Sequence, residues 1–244
     1  IAVAEKRVNI PLRQVGDKER EKLLNLEELI HERLVDQDAA VSAVSIILRE
    51  YRSGLTSGNG PIGSFLFVGP TGVGKTELAK ILSKIQFGSE DTMVRFDMSE
   101  YQDKASYYRF IGSPDLEVTG ALTGAIFRKP YSLILLDEFE KAHPDVLNLF
   151  LQVFDDGRLT DNLGRVVDFK NTIIIATSNA ESEFIKGEID KGNTMESITE
   201  ELKKRLTHYF HPELLNRLQT VIFKSLSEED TKKIAGLMFI DLAK

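Results

Sequence analysis

At 244 residues, 42% hydrophobic and 28% charged, the chain has ordinary globular composition and ample length for one large domain, or one domain plus a fragment. The formal charge of −7, from 31 basic and 38 acidic residues, argues against a nucleic-acid-binding surface, and the absence of cysteine removes disulfides, thiolate nucleophiles and cysteine-ligated metals. Four histidines without close pairing make no zinc site, and no apolar run approaches the roughly 18 residues of a membrane span, so the sequence reads as a cytoplasmic chain with no membrane partner.

Ile1 in place of an initiator methionine reads as the start of a segment excised from something longer. Residues 1–18 mix apolar and charged side chains without a clear period and are expected to form an arm or linker. From about Lys18, the series Leu23, Leu24, Leu26, Leu29, Ile30 and Leu34 has helical spacing, and residues 38–51 continue as a second amphipathic helix. Residues 53–61 are a polar turn cluster. The apolar run 64–68 then reads as a buried strand, and Glu77 to Lys84 opens a helix. Between them, Gly69-Pro70-Thr71-Gly72-Val73-Gly74-Lys75-Thr76 meets every fixed position of the phosphate-loop pattern.

The chemistry of that pattern follows from its context. A strand feeding a glycine-rich turn and a helix lets the backbone N–H groups of Thr71, Gly72, Val73 and Gly74 converge on a phosphate at the positive end of the helix dipole. Lys75 would reach the β- and γ-phosphates, and Thr76 would offer its hydroxyl to Mg²⁺. The bland alternative is a glycine-rich turn with no ligand.

Downstream, residues 93–97 read as a strand, Glu100 to Phe110 as a helical stretch, and Gly112-Ser-Pro as the start of a loop. Gly120 to Phe127 looks helical and must stop before Pro130. The run Ser132 to Asp137 is a further buried strand ending in acid. About sixty residues beyond the phosphate loop, Asp137 stands as the Mg²⁺ partner through water and Glu138 as the general base for the attacking water, against the alternative of a solvated acidic turn. Pro144 to Asp156 reads as a helix with proline in its first turn, and residues 158–168 as a hairpin-like excursion. Residues 171–177 form another buried strand, which delivers Ser178-Asn179 to the carboxyl end of the sheet. There Asn179 would orient the lytic water or touch the γ-phosphate, unless it is merely a turn residue or helix cap. A polar helical region over residues 182–210, a short helix over 212–218, a last strand over 220–223 and a capping-type helix start at Ser227 complete the chain. Apolar strands alternating with helices imply a parallel sheet covered on both faces.

Pro61 to Ala79, Phe96 to Tyr101, Pro130 to Asp145 and Asp155 to Asp161 together resemble the second ATPase module of Clp-type AAA+ unfoldases and disaggregases. The resemblance runs from about Glu19 to Ala243. It implies an α/β fold of the AAA+ P-loop NTPase type, with a five-stranded parallel sheet sandwiched by helices over 19–225, and with 226–244 beginning a small helical domain. It further implies binding and hydrolysis of ATP to ADP with Mg²⁺, assembly as a homo-hexamer, and remodelling of protein substrates. Carried over by residue, Asp137 and Glu138 end the Walker B strand, Asn179 is the first sensor, and Arg217 in Phe210-His-Pro-Glu-Leu-Leu-Asn-Arg217 is the arginine finger acting on a neighbouring subunit. Without the resemblance, Arg217 would read as a helix-end salt bridge. Leu34 and Val35 fall in the adenine-pocket segment, where Asp36 replaces a usual glycine. The chain ends before the family's second sensor arginine, which implies weak turnover by this segment alone.

One stretch departs from the resemblance. Clp unfoldases carry a Gly-Tyr-Val-Gly-like pore loop where this chain reads Gly112-Ser-Pro-Asp-Leu-Glu-Val-Thr-Gly120, shorter and without an aromatic. Leu116 and Val118 would form a reduced grip on polypeptide, with Tyr107 and Tyr108 nearby as the alternative grip, though these tyrosines read rather as helix packing. The departure supports an alternative in which a nucleotide-dependent switch or scaffold acts on a partner protein without threading it.

Overall fold

The computed structural model describes residues 17–53, 59–113 and 119–242. Most of the expected arm over residues 1–18, together with Leu116 and Val118, therefore lies outside the described residues. In chain order the helices are α1 (Asp17–Leu24), α2 (Leu26–His31) and α3 (Asp38–Arg52), followed by strand β1 (Gly63–Val68), helix α4 (Lys75–Phe87) and strand β2 (Met93–Asp97). Then come α5 (Ala105–Ile111), α6 (Ala121–Arg128), β3 (Leu133–Asp137), α7 (Pro144–Asp156), β4 (Arg158–Thr160) and β5 (Val166–Asp168). The remainder is β6 (Ile173–Ser178), α8 (Ser182–Asp190), α9 (Met195–Leu206), α10 (Pro212–Leu215), β7 (Gln219–Ile222) and α11 (Glu228–Leu242).

Five strands form one parallel sheet, as expected, in the order β2-β3-β6-β1-β7, and β4 pairs antiparallel with β5 as a separate hairpin. Alternate side chains leave a strand on opposite faces, and here both faces are covered. Phe65, Phe67, Leu133, Leu135, Ile173, Ile175 and Val221 pack against α2, α3 and α4. Leu66, Val68, Ile134, Leu136, Ile174, Ala176 and Ile222 pack against the helices from α5 to α10. This double burial is why the central strands are near-continuous apolar runs.

Three expected helical regions are divided by identifiable residues. Asn25 separates α1 from α2. The stretch expected over 100–110 becomes a 3-10 turn, Met98–Tyr101, followed by α5, because Asp103 accepts hydrogen bonds from the backbone N–H and hydroxyl of Ser106 and starts a new helix. The region over 182–210 breaks at Gly192, whose φ is +77°, before Thr194 caps the first turn of α9. Ser227 and Asp230 exchange backbone-to-side-chain hydrogen bonds at the start of α11, the capping arrangement expected there.

The register brings the carboxyl ends of all five strands together. Val68 lies beside Ser178 and Ile222, Leu136 beside Ala176, and Asp97 beside Asp137. The turns after β1, β3 and β6 therefore open onto one edge of the sheet, the place where ligands bind in open parallel α/β sheets.

Candidate nucleotide site

Sterics shape the turn after β1. A Cβ added to Gly69 would lie 2.4 Å from the carbonyl oxygen of Phe223, so only glycine lets β1 and the end of β7 approach this closely. Gly72 and Gly74 hold φ values of +80° and +106°, conformations that L side chains rarely adopt. Gly74 also caps α4 with no side chain satisfying the first-turn N–H groups. A turn of backbone donors with room at Gly72 and a bare helix N-terminus is a cradle for an anion, and the residues present fit a phosphate chain. Thr71 and Gly72 are exposed, Val73 is buried, and Thr76 is half-buried in the first turn of α4.

Lys75 is 8% exposed, and its ammonium donates to Gly69 O at 2.5 Å, Pro70 O at 2.8 Å and Asn179 Oδ1 at 2.8 Å. Burial lowers its pKa from 10.5 to about 8, against the opposing pull of the Asp137 and Glu140 carboxylates. One side chain thus ties the phosphate loop to the end of β6.

Asp137 ends β3 opposite Arg95 and Thr177: its Oδ2 pairs with the Arg95 guanidinium, and its Oδ1 accepts from the Thr177 hydroxyl. The same Thr177 hydroxyl accepts from the Glu138 backbone N–H at 3.4 Å. Glu138 sits at φ +55°, a left-handed conformation that turns the chain sharply away from the strand, and its carboxylate pairs with Lys141 Nζ at 2.7 Å. Asn179 donates its backbone N–H to Glu140 Oε1 at 3.2 Å, while Glu140 Oε2 is buried without a hydrogen-bond partner among the described residues. Among the described residues no group of three or more His, Asp or Glu is placed to hold a metal. Thr76 and Asp137 would accordingly supply part of an oxygen set to be completed by water and phosphate, the manner in which Mg²⁺ is usually held.

Leu34 is buried, and its Cδ1 would lie 2.9 Å from a Cβ on Gly74, so the expected adenine segment does abut the phosphate loop; Val35 is half-buried beside it. Asp36 and Gln37 both adopt left-handed φ, at +61° and +68°, which gives the physical reason a glycine suits position 36. Gln37 is 2% exposed, donates to Lys224 O at 2.9 Å and Val73 O at 3.4 Å, and accepts from Lys224 N–H at 3.0 Å. Asp36 pairs with Lys224 Nζ at 2.7 Å.

Arg217 shares no hydrogen bond with these groups. It forks onto Asp155, with Nε to Oδ1 at 2.6 Å and Nη2 to Oδ2 at 2.8 Å, so the salt bridge foreseen as the alternative reading is present within the chain. Its segment is nevertheless joined to the acidic strand end, because Phe210 stacks on Phe139, the residue after Glu138, with centroids 5.5 Å apart. Tyr107 is half-buried against the core as expected of helix packing, whereas Tyr108 is 51% exposed and meets the Tyr107 ring edge-to-face, with centroids 5.5 Å apart.

Sequence reasoning singled out the phosphate loop, Asp137, Glu138 and Asn179, and the structure gathers all of them at one edge. It missed Gln37, Arg95, Glu140 and Thr177. Only Thr177 carried a usable signal: if β3 and β6 pair in parallel and end together, the residue two before Asn179 must face Asp137.

Residues 60–221 match the family model described as AAA domain (Cdc48 subfamily). The chain is 51% identical to the chaperone protein ClpB of Meiothermus ruber, over 99% of this chain and 28% of that protein. It is 50% identical to ClpB of Vibrio vulnificus strain YJ016, over 99% of this chain and 29% of that protein. Two solved structures are similar at a TM-score of 0.86 and 38% identity: a Saccharomyces cerevisiae Hsp104–ADP complex, covering 100% of this chain and 43% of that one, and a closed-state Hsp104 with ATPγS and FITC-casein, covering 98% and 42%. The chain spans less than a third of the length of the curated relatives it matches. With the family model covering two thirds of its residues, the chain belongs to the AAA domain family, Cdc48 subfamily.

Proposed function

We propose that the chain is the ATP-binding and ATP-hydrolysing module of a ring-forming, Clp-like protein-remodelling machine. The observation that carries this reading is Lys75, which joins the phosphate loop to Asn179 within the field of Asp137. The ADP and ATPγS named for the Hsp104 structures support an adenine nucleotide as ligand, and the casein named with one of them supports a protein substrate. The similarity to ClpB chaperones does not favour a switch that never engages polypeptide. A homo-hexamer, a cytoplasmic setting, an ATPase domain over 19–225 and a helical segment beginning at 226 belong to the same proposal.

The residues divide the work as follows. Lys75 exchanges neutral carbonyl acceptors for β- and γ-phosphate oxygens, a gain because charge-assisted hydrogen bonds are the stronger kind. The backbone of Thr71, Gly72, Val73 and Gly74 holds the phosphate chain, and Leu34 with Val35 flanks the base. Mg²⁺ held through Thr76 and Asp137 would neutralise charge on the phosphates. Glu138, released from Lys141, takes the proton of the attacking water. Asn179 orients that water, and Arg217 of a neighbouring copy meets the charge that develops on the transferred group.

Lys75→Ala in the full-length protein should abolish ATP binding by calorimetry, and unchanged affinity would refute the phosphate-loop assignment. Glu138→Gln should bind ATP normally and lose turnover by roughly a hundredfold or more, the scale of a general base. Undiminished hydrolysis would remove Glu138 from that role.

A further inference from the structure

Arg217 is held in an unusually complete way for a half-exposed side chain. A guanidinium carries five N–H donors: one on Nε and two on each Nη. Nε and one hydrogen of Nη2 donate to the two oxygens of Asp155, at 2.6 and 2.8 Å, and one hydrogen of Nη1 donates to the Glu213 carbonyl at 2.6 Å. Two donors remain without partners among the described residues, one on each terminal nitrogen. One free donor on each terminal nitrogen is what a guanidinium can offer to two oxygens of a phosphate.

The three acceptors come from two separate elements. Asp155 stands in the last turn of α7, where the carboxyl end of the helix adds negative potential, and Glu213 lies in α10, whose first turn is set by Pro212. The pairing lowers the pKa of Asp155 and raises that of Arg217, so both stay charged. Stability does not explain the arrangement. The Asp155 and Arg217 side chains are 52% and 33% exposed, and ion pairs this accessible contribute little to folding.

We propose that Asp155 is a positioning residue for Arg217: with the Glu213 carbonyl it fixes the guanidinium so that its two free donors face the phosphate of a neighbouring copy. Such a finger is ordered before assembly and loses little rotamer freedom when the neighbour arrives. The contact rests on Arg217 acting in trans, as proposed above, and adds a residue that touches no substrate.

Asp155→Asn removes the charge and puts an amide N–H against one of the Arg217 donors while keeping shape. In the full-length assembled protein it should lower kcat about five- to twentyfold with the KM for ATP unchanged. Affinity for ADP with aluminium fluoride, measured by calorimetry, should fall by a similar factor, while affinity for ADP alone stays constant. In the Arg217→Ala background, Asp155→Asn should have no further effect on either quantity, because the residue it positions is gone. An Asp155→Asn protein with wild-type kcat and wild-type affinity for the fluoride complex overturns the proposal. So does an effect that persists undiminished in the Arg217→Ala background, which would mark Asp155 as structural. The underlying reading fails separately: if Arg217→Ala leaves assembled hydrolysis intact, Arg217 is not the finger at all.

Discussion

Lys75 shows how much one buried cation constrains. With its pKa near 8 instead of 10.5, the folded chain binds fewer protons at this site than the unfolded chain between those two values. Without nucleotide, stability therefore rises with pH through that window, and the burial penalty on the charged form is fully present below it. Phosphate oxygens act in the opposite sense, since an adjacent anion favours the protonated amine. ATP binding at pH 8.5, where the γ-phosphate is already deprotonated, should thus be accompanied by uptake of up to about one proton. Calorimetry in buffers of different ionisation enthalpy measures this directly. A binding enthalpy independent of buffer would mean that Lys75 is already charged before the phosphates arrive. Lys75→Met, which keeps most of the volume and cannot titrate, should remove any uptake along with most of the affinity.

At the scale of elements, Gln37 fastens three parts of the fold. Its side-chain amide pairs with both the N–H and the C=O of Lys224, as a strand would, and reaches the Val73 carbonyl inside the phosphate loop. Lys224 lies between β7 and α11, so the segment holding Leu34 and Val35, the phosphate loop and the exit from the sheet share one buried side chain. Gln37→Leu keeps the volume and leaves the Lys224 backbone groups unpaired, at a cost of about 2 kcal/mol. Amide exchange in a peptide containing Lys224 should accelerate by roughly thirtyfold, with little change at β3. Equal acceleration at both places would indicate global destabilisation. This contact was not legible in the sequence, because a glutamine whose partner lies 187 positions away leaves no local pattern. The strands were legible for the opposite reason: burial on both faces writes itself as an apolar run such as Leu133 to Leu136. The phosphate loop was equally plain, since each glycine answers a local steric demand. Helix ends at Asn25 and Gly192 were missed because a single turn residue inside a polar helical stretch is compatible with either continuation or a break.

The whole molecule separates two halves of one proposed reaction. Lys75, Asp137, Glu138 and Asn179 gather at one edge of the sheet, whereas Arg217 is bound to Asp155 and shares no hydrogen bond with them. On the proposed reading the finger serves a neighbour's site, through a head-to-tail contact that closes into a ring. This makes a mixing experiment decisive. Arg217→Ala subunits keep an intact acidic site and lack a finger, while Glu138→Gln subunits keep the finger and lack the base. Each full-length variant alone should be nearly inactive when assembled. In a one-to-one mixture, a contact is productive whenever an Arg217→Ala site meets a Glu138→Gln finger. That occurs at about a quarter of the contacts in randomly mixed head-to-tail rings, so independent sites should recover about a quarter of wild-type turnover. A finger acting within its own chain predicts no recovery at any ratio, because no subunit in the mixture has both groups. Coupling between subunits would bend the dependence on mixing ratio, but only a trans-acting Arg217 makes two inactive proteins active together.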